Sequence, residues 1–131
     1  MDYFVKTEFH KSKIIFVIQK NMLSLHHLMV YKSMRIVTLK RIQEYSESHP
    51  DSDMPLRNWY KKTKESEWNC FADIKQTFNN VDNVGNNRFV FNIKGNDFKL
   101  IAIVIFASKK VYVRFIGTHD EYDKISDCST I

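Results

Sequence analysis

Glycine, proline and cysteine are scarce in this 131-residue chain, with three Gly, two Pro and two Cys. Such a composition excludes collagen-like and low-complexity architectures. The two cysteines, Cys70 and Cys128, lie far apart, and no CxxC or HxxxH spacing accompanies them. They make neither a disulfide framework nor a zinc site, and they read as reduced thiols of a cytoplasmic protein. Long apolar runs are also missing. The longest near the N-terminus, Ile14–Ile18, has five residues, against the ~20 needed to span a bilayer. No signal-peptide pattern is present either. The chain is therefore expected in the cytoplasm, with no membrane partner.

What the chain does have is apolar bulk. Hydrophobic residues make up 44% and aromatics 14%, including ten Phe, enough to build one packed core. Lys and Arg outnumber Asp and Glu by 20 to 15, a net charge of +5. That balance suits nucleic acid, an acidic protein or an anionic surface, and does not choose among them. Residues 1–33 carry +3 of that charge, five Lys against Asp2 and Glu8. Residues 14–18 read as a short strand, and Met22, Leu25, Leu28 and Met29 fall at helical spacing. Met34 is a second possible translation start. Residues 1–33 are expected to be a poorly ordered extension or a start-site artefact, and 34–131 the functional domain.

From Met34 onward the pattern predicts a short strand at Arg35–Val37. A helix follows, with Leu39, Ile42, Tyr45 and Ser46 on one face, ending near His49-Pro50. A second helix is capped by Asp53, with Pro55 in its first turn and Leu56, Trp59, Tyr60 and Thr63 on one face. A third holds Phe71, Ile74 and Phe78, with Asn69 as cap. Residues 79–87 contain five Asn and Gly85 and read as a loop. Three strands follow, over 88–94, 98–106 and 110–117. Helices followed by an antiparallel meander define an α+β fold with the helices on one face of the sheet.

Gly95-Asn96 fits a two-residue hairpin loop, which sets Asn92 opposite Lys99 and Ile93 opposite Phe98. Alternation then places Phe89, Phe91, Ile93, Phe98, Leu100, Ala102, Val104 and Phe106 on one face. Pairing of Phe106 with Val111 would add Val111, Val113 and Phe115. The other face carries Arg88, Asn92, Lys94, Lys99 and Arg114 among apolar residues. Two readings fit this face: an ordinary solvated surface, or an anion site in which cations on rigid strands hold phosphate.

The segment after the last strand is the richest in chemistry. Thr118-x-x-Glu121 is a capping box, so a short helix should begin at His119. His119, Tyr122 and Asp123 then lie on one side of it. The positive helix end favours a neutral imidazole, with Asp120 and Glu121 working against that bias.

These residues carry a family resemblance. Arg88 to Leu100 (RFVFNIKGNDFKL) and Val111 to Ile125 (VYVRFIGTHDEYDKI) resemble the HigB family of toxins of type II toxin–antitoxin systems. His49-Pro50, Pro55-Leu56, Trp59-Tyr60, Trp68, Phe71–Ile74 and Val84–Arg88 extend the likeness, in the same order, from Met34 to Ile131. Position 99 is a departure: family members often carry Arg there, and Lys makes no forked contact with phosphate. The resemblance implies a RelE-like microdomain with helices packed on one face of a small antiparallel sheet. It implies cleavage of mRNA in the ribosomal A site without metal or cofactor. It also implies a HigA-like helix-turn-helix antitoxin and ribosomal RNA as partners.

Such cleavage proceeds by attack of a ribose 2′-hydroxyl on the adjacent phosphorus, which needs a base, an acid and cations around the phosphorus. Arg114 and Lys99 are the candidates for phosphate stabilisation, His119 for proton transfer, and Tyr122 for stacking or proton transfer. Asn92, Arg88, Lys94 and Asp123 are candidates for holding RNA. Rival readings are a gyrase-poisoning toxin of the same superfamily and a catalytically inert antitoxin- or RNA-binding module.

Overall fold

The structure, a computed structural model, describes residues 33–131. The expectations for the extension, its strand and its helical spacing lie outside the described residues, Ser33 apart.

The first strand, β1 (Arg35–Ile36), is followed by helix α1 (Leu39–Ser48) and a 3-10 turn at Pro50–Ser52. Helices α2 (Asp53–Lys64) and α3 (Phe71–Thr77) come next. Strands β2 (Val81–Gly85), β3 (Arg88–Ile93), β4 (Phe98–Ile105) and β5 (Lys110–Thr118) then run as a meander. A last helix, α4 (His119–Asp123), and a 3-10 turn at Cys128–Thr130 end the described chain. The sheet order is β1-β5-β4-β3-β2. The meander is antiparallel as expected, but β1 pairs parallel with β5, Ile36 opposite Val111, so the sheet is mixed. Residues so far apart in sequence leave no local signal of that pairing.

Two expected caps are corrected. Ser52, in αR conformation, leads the 3-10 turn straight into α2, so Asp53 is a first-turn residue. Its carboxylate pairs with Arg57 one turn later, Oδ2 to Nη2 at 2.9 Å. Asn69 does not cap α3: Cys70 flanks that helix, and the Asn69 backbone N–H donates to Asp73 Oδ2 at 2.8 Å.

Residues 79–87 are not simply a loop. Val81, Asp82 and Asn83 pair with Phe91, Val90 and Phe89. Asn and Asp have poor strand propensity, but an edge strand with one wet side tolerates them, and in this one only Val81 is fully buried. Gly85, Asn86 and Asn87 all take positive φ, which closes the tight β2–β3 hairpin.

The β3–β4 register is the expected one, with Asn92 opposite Lys99 and Ile93 opposite Phe98. Phe106 does not pair with Val111. Val104 does, because Lys109 N–H closes a four-residue turn onto Phe106 O at 3.3 Å with Lys109 at positive φ. A two-residue shift preserves parity, so Val111 and Val113 still face the core.

Parity breaks at Arg114. Ala102 pairs with Val113 and Ile101 with Phe115, leaving Arg114 as the extra residue of a β-bulge. Phe115, expected on the core face, moves opposite outer-face Ile101, and Ile116 takes its place against the core.

The core lies between the helices and the inner sheet face. Phe91, 1% exposed, is at its centre, with its ring 5.4 Å from both Trp59 and Phe78 and 6.2 Å from Trp68. On the outer face, Val90 and Ile101 are also buried. The chain beyond α4 is fastened to the β2–β3 hairpin. Arg88 Nε and Nη2 donate to Ile131 O at 2.9 and 2.7 Å, and Asn86 Nδ2 donates to Ser129 O at 3.1 Å. Among the described residues no helix is long and apolar enough to cross a membrane.

Candidate active site

Lys99 stands in the middle of the sheet, with Asn92 opposite it on β3 and Gly117 opposite it on β5. It is only 8% exposed and is the one buried cation among the described residues. Its Nζ donates to Asn92 Oδ1 and lies 5.4 Å from the centre of the Tyr122 ring. Among the described residues, no carboxylate comes within ion-pair distance of it. A buried ammonium held by an amide oxygen and a ring face retains capacity for an anion.

Gly117 shapes the wall beside this lysine. A Cβ at that position would lie 2.5 Å from Cζ of Phe115, so the ring occupies the space a side chain would need. Gly117→Ala should lower stability by roughly 1–3 kcal/mol through displacement of that ring. Phe115→Leu in the same chain should recover most of the loss, as read from denaturant midpoints in a double-mutant cycle.

The capping box forms as the spacing predicts. Thr118 Oγ1 accepts from Glu121 N–H at 3.2 Å, and Glu121 Oε1 accepts from Thr118 N–H at 2.8 Å. The Thr118 backbone bond, reinforced by its hydroxyl, holds the Glu121 carboxyl below its ordinary range. His119 N–H donates to Asp97 O at 3.1 Å, which ties the start of α4 to the β3–β4 turn.

This helix delivers Tyr122 to Lys99. Burial first, then a hydrogen bond with Cys128 and the charges of Cys128, Asp82 and Asp123, push the Tyr122 hydroxyl up to about 12. It keeps its proton at neutral pH. The folded state holds this proton more tightly than the unfolded chain does. The associated stability is therefore complete below pH 10 and is lost as pH rises through about 12. Wild type should accordingly lose stability relative to Tyr122→Phe between those limits, measured by denaturant unfolding at stepped pH. A constant difference across that window would contradict this.

His119 Nε2 lies 3.3 Å from Asp123 Oδ2. Its Nδ1 is buried with no hydrogen-bond partner. Nε2, beside Asp123 on the exposed side of the ring, is therefore the nitrogen open to a substrate, and a proton taken there is held by the Asp123 carboxylate.

The fold thus gathers Lys99, Asn92 and Tyr122, with the His119–Asp123 pair on the same short helix. Arg88 is occupied by the Ile131 and Asn86 backbone oxygens. Lys94 sits in the β3–β4 turn, 3.9 Å from Asp51 and 3.8 Å from Asp97. Arg114, at the bulge, borders a cleft beside α1 that Lys99 does not line. Cys128 and Asp82 had escaped sequence reasoning. Reading Gly85-Asn86-Asn87-Arg88 as a hairpin would have set Asp82 opposite Val90, whereas nothing local points to Cys128. Among the described residues no three His, Cys, Asp or Glu side chains converge as a metal-ligating group.

Helices on one face of a five-stranded mixed sheet form an α+β fold consistent with that of a RelE-like toxin. The profile of the HigB toxin family, described as the RelE-like toxic component of a toxin–antitoxin system, matches residues 52–125, more than half of the chain, and the chain belongs to that family. It is 28% identical over 95 residues to the mRNA interferase HigB of Escherichia coli O6:H1, covering 71% of this chain and 92% of that relative. It is 29% identical over 100 residues to the mRNA interferase toxin HigB of Escherichia coli K12, covering 69% of this chain and 88% of the relative. The mRNA interferase HigB of Shigella flexneri is equally similar, 29% over 100 residues, with the same coverage of 69% and 88%.

Proposed function

We propose that this protein is an endoribonuclease toxin that cuts mRNA in the ribosomal A site and is silenced by a HigA-like helix-turn-helix antitoxin. The observation that carries this reading is the buried Lys99 ammonium, free of carboxylates among the described residues and flanked by Asn92 and Tyr122. The relatives named mRNA interferases support RNA as the substrate.

In this mechanism the ribose 2′-oxygen gives its proton to His119, which Asp123 orients, and bonds to the adjacent phosphorus. The P–O5′ bond breaks, and the departing oxygen takes a proton from Tyr122. The products are a 2′,3′-cyclic phosphate and a 5′-hydroxyl. Lys99 stabilises the charge that gathers on the phosphoryl oxygens, and Asn92 holds Lys99 in place. The excess of basic residues provides salt-sensitive attraction to ribosomal RNA.

Primer extension on mRNA after expression of wild type, His119→Ala and Tyr122→Phe tests the reading. Wild type should give discrete truncations, and each variant should reduce them by about 10²-fold or more. Equal truncation in all three would remove both residues from the chemistry. Intact mRNA accompanied by DNA damage would instead mark a gyrase poison, and harmless expression of wild type an inert module.

A further inference from the structure

A cleft of about 380 Å³ opens against α1 along the edge of β5 that no strand covers among the described residues, lined by Arg41, Tyr45, His49, Arg114 and their neighbours. Its construction follows from the short pairing of β1, which covers β5 only at Lys110 and Val111. Beyond that, α1 supplies the missing partners. Thr38 Oγ1 accepts from Val113 N–H at 2.7 Å, and Arg41 Nη1 donates to Arg114 O at 2.7 Å and Val113 O at 3.3 Å. One guanidinium is thereby fixed at the strand edge, beside the bulge that presents the other.

The Arg114 side chain is exposed and makes no ion pair or side-chain hydrogen bond among the described residues. Glu44, the one acid lining the cleft, lies 3.8 Å from Lys40. The floor is aromatic: Tyr45 and His49 stack at 4.0 Å with 8° between their planes, and Phe98 meets both edge-on. The Tyr45 hydroxyl is buried without a partner. Two guanidinium groups without paired carboxylates among the described residues, beside a stacked ring pair, suit a phosphate and a base.

The cleft adjoins the Lys99 site. Phe98, which touches both rings of the stack, precedes Lys99 on β4, and the charge of Glu121 on α4 reaches both Tyr45 and His49. We propose that this cleft is a second RNA subsite, in which Arg41 and Arg114 hold the phosphate of a nucleotide neighbouring the cleavage point and the Tyr45–His49 stack receives its base. The inference rests on the endoribonuclease reading and extends it to the strand flanking the cut.

Fluorescence anisotropy with uncleavable 2′-O-methyl RNA tests it on the full chain. A hexanucleotide should bind more tightly than a dinucleotide. Arg114→Gln, at an arginine whose side chain makes no bond among the described residues, should weaken the hexanucleotide about tenfold and flatten the salt dependence by about 0.7. His49→Ala should weaken it about fivefold or more while leaving the salt slope intact, because stacking releases no counterion. Melting curves confirm that both variants are folded. Equal binding of the two oligonucleotide lengths, or unchanged hexanucleotide binding in both folded variants, overturns the proposal. Retained RNA binding with lost antitoxin binding also overturns it and assigns the cleft to the antitoxin. Failure of the endoribonuclease reading has a different signature, intact mRNA with wild-type protein.

Discussion

Lys99→Met is expected to reduce mRNA cleavage by about 10²–10³-fold, the usual loss when one preorganised charge-stabilising group is removed from a site. Methionine nearly preserves the volume, so the loss reports charge. The variant leaves Asn92 Oδ1 without its donor, a stability cost of roughly 1–3 kcal/mol, which circular dichroism melting separates from the kinetic effect. Lys99→Arg is the informative companion. A guanidinium keeps the charge and adds a fork for phosphate oxygens, so it should retain cleavage within about tenfold of wild type. Single-turnover cleavage on mRNA-programmed ribosomes measures both variants. Cleavage by Lys99→Met within twofold of wild type would exclude the lysine from charge stabilisation and shift attention to Arg41 and Arg114.

Phe91→Ala should destabilise the fold by about 3–5 kcal/mol, the range for deleting a buried aromatic. The ring is in edge contact with Trp59 and Phe78 and stacks on Trp68, so its removal undoes contacts from two helices and the chain between them. The buried Trp59 indole N–H already lacks a hydrogen-bond partner among the described residues. At roughly 4–8 °C per kcal/mol for a domain of about this size, the melting midpoint should fall by at least ~12 °C. A fall of only a few degrees would show that the aromatic cluster collapses into the void and that the core is more plastic than its packing implies.

Lys99, Asn92 and Tyr122 were largely legible before the fold was seen. Gly95-Asn96 set the β3–β4 register, and register alone puts Asn92 opposite Lys99. The Thr118–Glu121 box located the start of α4 to the residue. Both are signals contained within a few residues. Phe115 and Ile116 exchanged faces because parity was carried through a bulge that no local feature announces. The bulge arises where two registers, one set by the β4–β5 turn and one by the strand end, fail to coincide.

Local chemistry in the sequence by itself determined the α+β class, the inner apolar face, the hairpin register and the short capped helix, because periodicity, turn residues and capping act over one turn or one pleat. Tertiary structure alone decided that a string of asparagines becomes an edge strand, that β1 joins β5, that Cys128 and Asp82 reach Tyr122, and that Arg114 meets Arg41. Each of those pairings joins residues from separate elements, and which of them meet depends on how the helices and the sheet pack against the shared core rather than on the propensities of the residues concerned.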